Sequence, residues 1–294
     1  KLTKMLNKTI AINDQQHEKN NKPFSLYSKD VFYDLIQIKG VDELKIRYKA
    51  FIDLLLKMGF RLYDSNRPYV YVLIKENLIE EYSISRIQKY FIDFIEHEHV
   101  PAEGVSISMI LEKIYKSPSH YFSDTRLSLL QPSAPISLNK DTKRSTYLYF
   151  KNGFAECTSQ GVFFRDYSQL EKPIWTAQRN NRNFKPLGWI NNPPDNYEDH
   201  GYFFRFLLNI AGRKDDRIKS LMSIIGYLLH NYFNYELKAT ILTDSGITDI
   251  ADGRSGKSLL CRAISKVRVM GRLNGKDFNV DNRHKYQTLD LDTQ

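Results

Sequence analysis

Cysteine is scarce in this sequence. Cys157 and Cys261 are the two cysteines among 294 residues, and neither has a partner at metal-ligand spacing. The pattern excludes a disulfide framework and a cysteine-based zinc site. It favours a reducing compartment, and we expect a cytoplasmic location.

Long apolar runs are also lacking. No stretch approaches the roughly 20 residues of a membrane span, and the first residues have no signal-peptide core. We therefore expect no membrane partner.

Acidic residues are fewer than basic residues. Lys and Arg total 43 against 34 Asp and Glu, which gives a formal net charge of +9. Such an excess favours a polyanionic partner, with nucleic acid first and an acidic membrane surface second. Many basic proteins bind neither, so the charge alone decides nothing.

The remaining composition is that of a folded protein, with 41% hydrophobic and 26% charged residues. The length indicates about two domains. Because the chain starts at Lys1 rather than Met, we expect it to be a piece of a longer protein. The predicted divisions are a basic tail or linker at 1–24, a small α+β domain at 25–100, a β-rich connector at 101–198 and an α/β region at 199–294.

The 25–100 segment shows a helix, strand, helix pattern. Gly59 and Ser83 are the expected end of the first helix and N-cap of the second, and residues 69–74 read as a strand. The apolar face of the first helix is Leu44, Tyr48, Phe51, Ile52 and Leu55. Basic residues on the polar sides would suit a winged-helix-like DNA-binding role or be ordinary solvent-facing charges.

The connector contains the clearest hairpin. Residues 146–150 and 154–158 flank an Asn152-Gly153 turn signal, and 162–164 adds a third strand. Residues 171–198 are expected to be irregular. They include a basic cluster, which either contacts a nucleic-acid backbone or is plain surface charge beside Trp175 and Phe184: Arg179, Arg182 and Lys185.

Two helices are expected to precede the last motif. The first covers 202–211, and the second has an apolar face in which Gly226 allows a close approach to a neighbour. Further on, 266–270 is expected to be a short strand. Asp290 and Asp292 fit either a metal site or a strand edge.

Residues 239–267 form the pattern around which the chain is organised. An apolar strand at 239–243 leads into a glycine-containing loop and then a helix that opens on Lys257-Ser258. This order is typical of a phosphate-binding P-loop, with Lys257 directed to the β- and γ-phosphates and Ser258 to Mg²⁺. Ala251 stands where the full pattern has glycine. The alternative is a strand–turn–helix corner with a solvated lysine.

Several segments resemble the helicase domain of phage and plasmid primase-helicases, of superfamily 3 within the AAA+ ATPases, related to poxvirus-type primase-helicases. The resemblance is strongest over 220–262 and rests on 225–230, 242–244 and 253–260; upstream, 58–61, 149–153 and 174–175 also match. It implies a partial P-loop NTPase core preceded by α+β accessory domains. It also implies that the chain stops just before its Walker B strand.

The resemblance implies ATP-driven DNA unwinding by a hexamer acting with other replication proteins, with ATP and Mg²⁺ as cofactors. Lys257 would be the catalytic residue and Ser258 the metal ligand, and this fragment is expected to be inactive alone. The nucleotide-binding candidates are Gly253, Arg254, Ser255, Gly256, Lys257, Ser258 and Leu259. A non-catalytic replisome adaptor with a structural P-loop is the alternative, and a P-loop kinase would need an acceptor site that the sequence does not reveal.

Overall fold

The computed structural model describes residues 27–38, 40–63, 69–130, 135–185, 201–232, 238–243, 256–271 and 273. The chain forms two compact units. The first comprises 1–73 and 81–136, and the second comprises 74–80 and 137–294. Both helices and strands occur, which agrees with a mixed α/β class.

Unit one begins with an antiparallel hairpin. Strand β1 (Tyr33–Ile38) pairs with β2 (Val41–Ile46), with Leu35 opposite Leu44. Helix α1 (Tyr48–Lys57) follows, and β3 (Phe60–Tyr63) then pairs antiparallel with β4 (Val70–Lys75). The remaining helices are α2 (Ile84–His97), α3 (Ile107–Lys116), α4 (Pro118–Tyr121) and α5 (Asp124–Leu127).

The helix boundaries in this unit follow from local chemistry. The Ser83 hydroxyl accepts a hydrogen bond from the Arg86 N–H at 3.3 Å, which confirms Ser83 as the N-cap of α2. Gly59 has a φ of +103° directly after the C-cap of α1, as predicted for the residue that ends this helix. The predicted strand at 69–74 is confirmed as β4.

The prediction that Leu44 belongs to the first helix is wrong. Leu44 lies in β2, and Arg47 is extended between the strand and the helix. Leu44 and Ile46 are both buried and Lys45 between them is exposed, as expected for a paired strand. The helical spacing that Leu44 shares with Tyr48 and Phe51 was therefore misleading. The hairpin of β1 and β2 was not anticipated.

The core of unit one is aromatic. Phe51 packs edge to face on Phe91, with ring centroids 5.0 Å apart, and Phe32 and Phe122 pack against the same pair. Residues 121–130 extend this core through four buried side chains: Tyr121, Phe122, Leu127 and Leu130. Residues 101–130 therefore pack in the first unit, whereas the sequence assigned them to the connector.

A histidine is buried in this core. His99 is 4% exposed and lies beside the rings of Phe32 and Phe94. The Tyr33 hydroxyl accepts a hydrogen bond from the Ala102 N–H at 3.0 Å and lies 3.1 Å from His99 Nε2. The Tyr33 hydroxyl and Nε2 therefore share a hydrogen bond inside the core. Burial is the main cause that lowers the pKa of His99 below its usual value.

Unit two contains the predicted hairpin. Strands β6 (Ser145–Phe150), β7 (Gly153–Thr158) and β8 (Gly161–Arg165) form an antiparallel meander, so the hairpin and its third strand are confirmed. The turn residues are Lys151 and Asn152, because Gly153 already pairs with Phe150. A Cβ on Gly153 would lie 2.4 Å from the Arg165 carbonyl oxygen, so its close approach to β8 requires glycine.

A second strand pair lies in the same unit. Strand β5 (Leu78–Glu81), whose residues 78–80 belong to unit two, pairs parallel with β9 (Ile174–Trp175). The Asn77 side-chain amide donates to the carbonyls of Tyr167 and Leu170 at 3.0 and 2.9 Å. The expectation of an irregular 171–198 is thus wrong at Ile174–Trp175, because pairing with β5 is a long-range contact.

The helices of unit two are α6 (Tyr202–Ile210), α7 (Asp215–Leu229) and α8 (Lys257–Ile264). The two predicted lead-in helices are thus present. Nothing lies within 4 Å of a Cβ built on Gly226, so the predicted close approach there is wrong. Across the described ranges, none of the helices has the length and apolar character needed to span a bilayer.

We expect unit one to lose stability in mild acid. Because the folded-state pKa of His99 is lowered, the unfolded chain binds more protons, so stability falls as the pH drops below about 6.5. Unit one has no tryptophan, so fluorescence does not report on it. Hydrogen exchange of the α2 amides at pH 7.5 and 5.5 measures its stability instead. His99→Gln should reduce the pH dependence, and His97→Gln, at an exposed position, should retain it. Equal pH dependence in both variants would contradict the assignment.

Candidate nucleotide-binding site

The first described residue of the candidate site is Gly256, directly before α8. Its φ and ψ are 86° and −3°, a left-handed conformation. Its carbonyl oxygen accepts hydrogen bonds from the N–H groups of Leu259 and Leu260 at 3.0 and 3.1 Å. Lys257 and Ser258 therefore occupy the first turn of a helix, where backbone N–H groups point out of the helix end and the helix dipole is positive.

Packing against α6 adds a second requirement for glycine at this position. A Cβ on Gly256 would lie 2.9 and 3.0 Å from Cε2 and Cζ of Phe206, and 3.7 Å from Cγ2 of Ile210. The turn that starts α8 is thus held directly against the last two turns of α6.

An apolar cluster supports this arrangement. Leu207 of α6 and Leu260 and Ile264 of α8 are buried together. The half-buried side chains around them are Phe204, Phe206, Leu221, Ile225, Leu229 and Leu242. The helices predicted to precede the P-loop therefore form the surface on which its helix lies.

The predicted strand at 239–243 is not present. Residues 238–243 are described, and they have no regular secondary structure. Leu242 packs into the apolar cluster while Ile241 is 82% exposed. A buried parallel strand needs neighbouring strands on its edges, and none of the described strands pairs with this segment.

The structure describes four of the seven predicted nucleotide-binding residues. Gly256 and Lys257 are half-buried, and Ser258 and Leu259 are exposed. Gly253, Arg254 and Ser255 lie outside the described residues, as do Asp290 and Asp292. In the described ranges, no group of three or more His, Cys, Asp or Glu side chains could hold a metal ion.

A buried ion pair lies just beyond α8, at a position where the sequence predicted a strand. Residues 266–270 are not a strand. Arg268 instead places its Nη2 2.5 Å from Oδ2 of Asp141, and the two side chains are 5% and 2% exposed. Its Nε donates to the Leu229 carbonyl at 2.7 Å. The Asp141 carboxylate also accepts from the N–H groups of Tyr147 and Asn231 at 2.9 and 2.8 Å.

Two further polar contacts join the same parts of the chain. The His230 Nε2 donates to the Thr142 carbonyl at 2.7 Å, and the Asn180 side-chain amide donates to the Lys266 carbonyl. The sequence reasoning did not find this network. Arg268 stands between two valines in the sequence, which is the one local signal of a buried position.

The exposed cations near the β6–β7 turn differ from the set that the sequence predicted as a basic cluster. The Lys151 N–H donates to the Arg182 carbonyl at 2.9 Å, and Asn152 hydrogen-bonds the backbone of Phe184 through both polar atoms of its side chain. Lys151, Arg182 and Lys185 are exposed, so three cations surround the β6–β7 turn.

The aromatic residue of this cluster is part of the packing. The Phe184 ring stacks on Phe164, with centroids 5.0 Å apart and an interplanar angle of 18°. Arg179 is half-buried, and Trp175 belongs to β9. The exposed cations are therefore the part of this cluster available to a polyanion.

No protein-family model matches the chain, and no curated protein sequence matches it significantly. The geometry of unit two therefore carries the functional argument.

We expect Gly256→Ala to destabilise unit two by about 2–4 kcal/mol. The left-handed backbone accounts for about 1–2 kcal/mol and the overlap with Phe206 for the remainder. Gly226→Ala is the matched control, because its Cβ meets nothing and should stabilise α7 by about 0.5–1 kcal/mol. Tryptophan fluorescence during denaturant unfolding reports on this unit, which holds both tryptophans. A Gly256→Ala protein as stable as the wild type would refute the described packing.

Proposed function

We propose that this chain carries the nucleotide-binding part of an ATP-dependent DNA helicase of the primase-helicase type, acting in phage- or plasmid-type replication. The observation that carries the proposal is the left-handed Gly256 immediately before a helix that begins Lys257-Ser258. A plain helix corner would use glycine here for the same two reasons, its φ and its packing on Phe206, so the Lys257-Ser258 pair at the start of the helix is what favours a phosphate site.

The residues at this helix end fit a phosphate chain. The first-turn N–H groups of α8 supply hydrogen-bond donors. A helix dipole contributes only about 0.3–1 kcal/mol at an exposed site. The main favourable charge must therefore come from Lys257, which would neutralise the β- and γ-phosphates.

Ser258 fits the position of a Mg²⁺ ligand, because its hydroxyl lies on the exposed first turn. Mg²⁺, when bound, would neutralise charge on the β- and γ-phosphate oxygens. In the proposal, Gly253, Arg254, Ser255 and Leu259 supply backbone contacts to the same phosphates.

The polyanion in this proposal is DNA. The net charge of +9 favours such a partner. In the proposal, the exposed Lys151, Arg182 and Lys185 of unit two contact the DNA backbone. The proposal further includes a hexameric assembly, other replication proteins and the cytoplasm of a bacterial host.

A replisome adaptor with a structural P-loop is the second candidate. The same helix end supports nucleotide binding in both cases, so binding without turnover in the full-length protein would favour the adaptor. In the helicase, nucleotide is hydrolysed and DNA is unwound.

We expect Lys257→Ala to weaken ATP binding at least tenfold. The change removes the one side chain in α8 placed to pair with the β- and γ-phosphates. Arg262→Ala is the matched control, because it removes an equal charge from the exposed last turn of the same helix. Isothermal titration with ATP and Mg²⁺ measures both variants. Equal affinity of the two would sink the P-loop assignment.

A separate prediction concerns DNA. The double variant Arg182→Ala/Lys185→Ala should bind a labelled single-stranded oligonucleotide more weakly in fluorescence anisotropy. Loss of two phosphate contacts should reduce the magnitude of the slope of log K against log salt concentration by about 1.4. Lys214→Ala/Lys219→Ala removes two exposed charges around α7 and serves as the control. If both pairs weaken binding alike, the effect is net charge alone and the cluster is not the contact surface.

A further inference from the structure

Unit one presents a group of planar side chains at its surface. The guanidinium of Arg126 lies over the ring of Tyr48, with Cζ 4.2 Å from the ring centroid. The imidazole of His120 packs beside the same tyrosine, with ring centroids 5.3 Å apart. His120 is exposed, and Tyr48 and Arg126 are half-buried. We call Tyr48, His120 and Arg126 the stacking surface.

Three elements bring these side chains together. Tyr48 is the first residue of α1, His120 lies in α4 and Arg126 lies in α5. The buried side chains of Tyr121 and Leu127 anchor the two short helices in the aromatic core of unit one. Packing therefore holds the ring and guanidinium planes in place before any ligand binds, which lowers the entropy cost of binding.

We propose that the stacking surface binds unpaired bases of single-stranded DNA. Such bases stack on histidine rings and on guanidinium planes, whereas in a duplex the faces of each base are covered by its neighbours. The inference goes beyond the proposed function, because it assigns a base contact to unit one, through residues other than the P-loop helix and the cations of unit two.

The charges around the stacking surface indicate that phosphate contacts alone cannot account for binding there. Lys116, at the end of α3, is exposed and can pair with a phosphate. Lys113 already forms an ion pair with Glu43 at 2.7 Å. Asp124, two residues before Arg126, is exposed and offsets part of the positive charge. Because the local charge is nearly balanced, base stacking must supply most of the affinity.

A second arginine–tyrosine stack in unit one offers an internal comparison. The guanidinium of Arg86 lies 4.0 Å from the ring centroid of Tyr82. The described rings beside Tyr82 are Phe60, which is buried, and Tyr90, which is half-buried. This stack therefore lacks the exposed neighbouring ring that His120 provides to the stacking surface, and we do not expect it to bind a base.

The test uses the whole chain and two labelled oligonucleotides of equal length. One is ordinary single-stranded DNA, and the other has abasic sites throughout, so it keeps the phosphates and lacks the bases. Fluorescence anisotropy measures the affinity for each. Arg126→Lys keeps the charge and removes the planar group, and His120→Ala removes the ring. Arg86→Lys and His97→Ala make the same changes on α2 and serve as matched controls.

We expect Arg126→Lys and His120→Ala each to weaken binding of ordinary single-stranded DNA at least fivefold, which is the loss typical of one stacked base. Binding of the abasic strand should not change, which also shows that the variants are folded. His120→Ala should leave the slope of log K against log salt concentration unchanged, because it removes neither a lysine nor an arginine. Both control variants should bind like the wild type.

The other outcomes contradict the proposal. Equal losses on the two oligonucleotides would show a contact to phosphates only, and unchanged binding or equal losses in the controls would also overturn the stacking surface. Tighter wild-type binding of a duplex than of the single strand would assign the DNA contact to paired DNA instead. The P-loop assignment is tested separately, because Arg126→Lys should bind ATP with wild-type affinity whichever of these results is found.

Discussion

The ion pair between Asp141 and Arg268 is the interaction on which the organisation of unit two depends. Removing two charges from water costs several kcal/mol for each ion, so a buried pair persists only where hydrogen bonds satisfy the remaining donors and acceptors. Here the carboxylate accepts from Tyr147 and Asn231, and the guanidinium donates to the Leu229 carbonyl. The surroundings are poorly solvated, since burial raises the pKa of nearby Tyr149 to about 12. Loss of either charge would leave the other buried and unpaired.

The consequence of this pair is a fixed relation between three segments. Asp141 precedes the meander, Leu229 ends α7, and Arg268 follows α8. An isolated helix of eight residues is unstable in water, so α8 depends on tertiary contacts. The apolar cluster holds its inner face, and the ion pair holds the chain that leaves its C-terminal end. The geometry at its N-terminus, where phosphates are proposed to bind, is therefore set by residues far away in the sequence.

The sequence predicted the features that local chemistry determines. Ser83 caps α2 through a hydrogen bond three residues away, and the β6–β7 hairpin joins neighbouring segments. Its failures have two origins. Leu44 lies in a local hairpin whose strand alternation was mistaken for helical spacing. The other failures depend on distant parts of the chain, because 239–243 has no described neighbouring strand and Arg268 finds a partner 127 residues away. Of the candidate site, the sequence predicted the order Gly256, Lys257, Ser258. It could not predict the contact of Gly256 with Phe206, because that contact depends on how α6 packs against α8.

That contact also decides how the candidate site is built. A glycine in a loop is usually free to adopt many conformations, which costs entropy when a ligand orders it. Gly256 instead has a left-handed backbone at the start of α8, and the Phe206 ring fills the space that a Cβ there would occupy. The helix that carries Phe206 continues to Ile210, whose Cγ2 would lie 3.7 Å from that Cβ. Helix α6 thus packs directly against the start of α8, so a regular element supports the turn where the phosphates are proposed to bind.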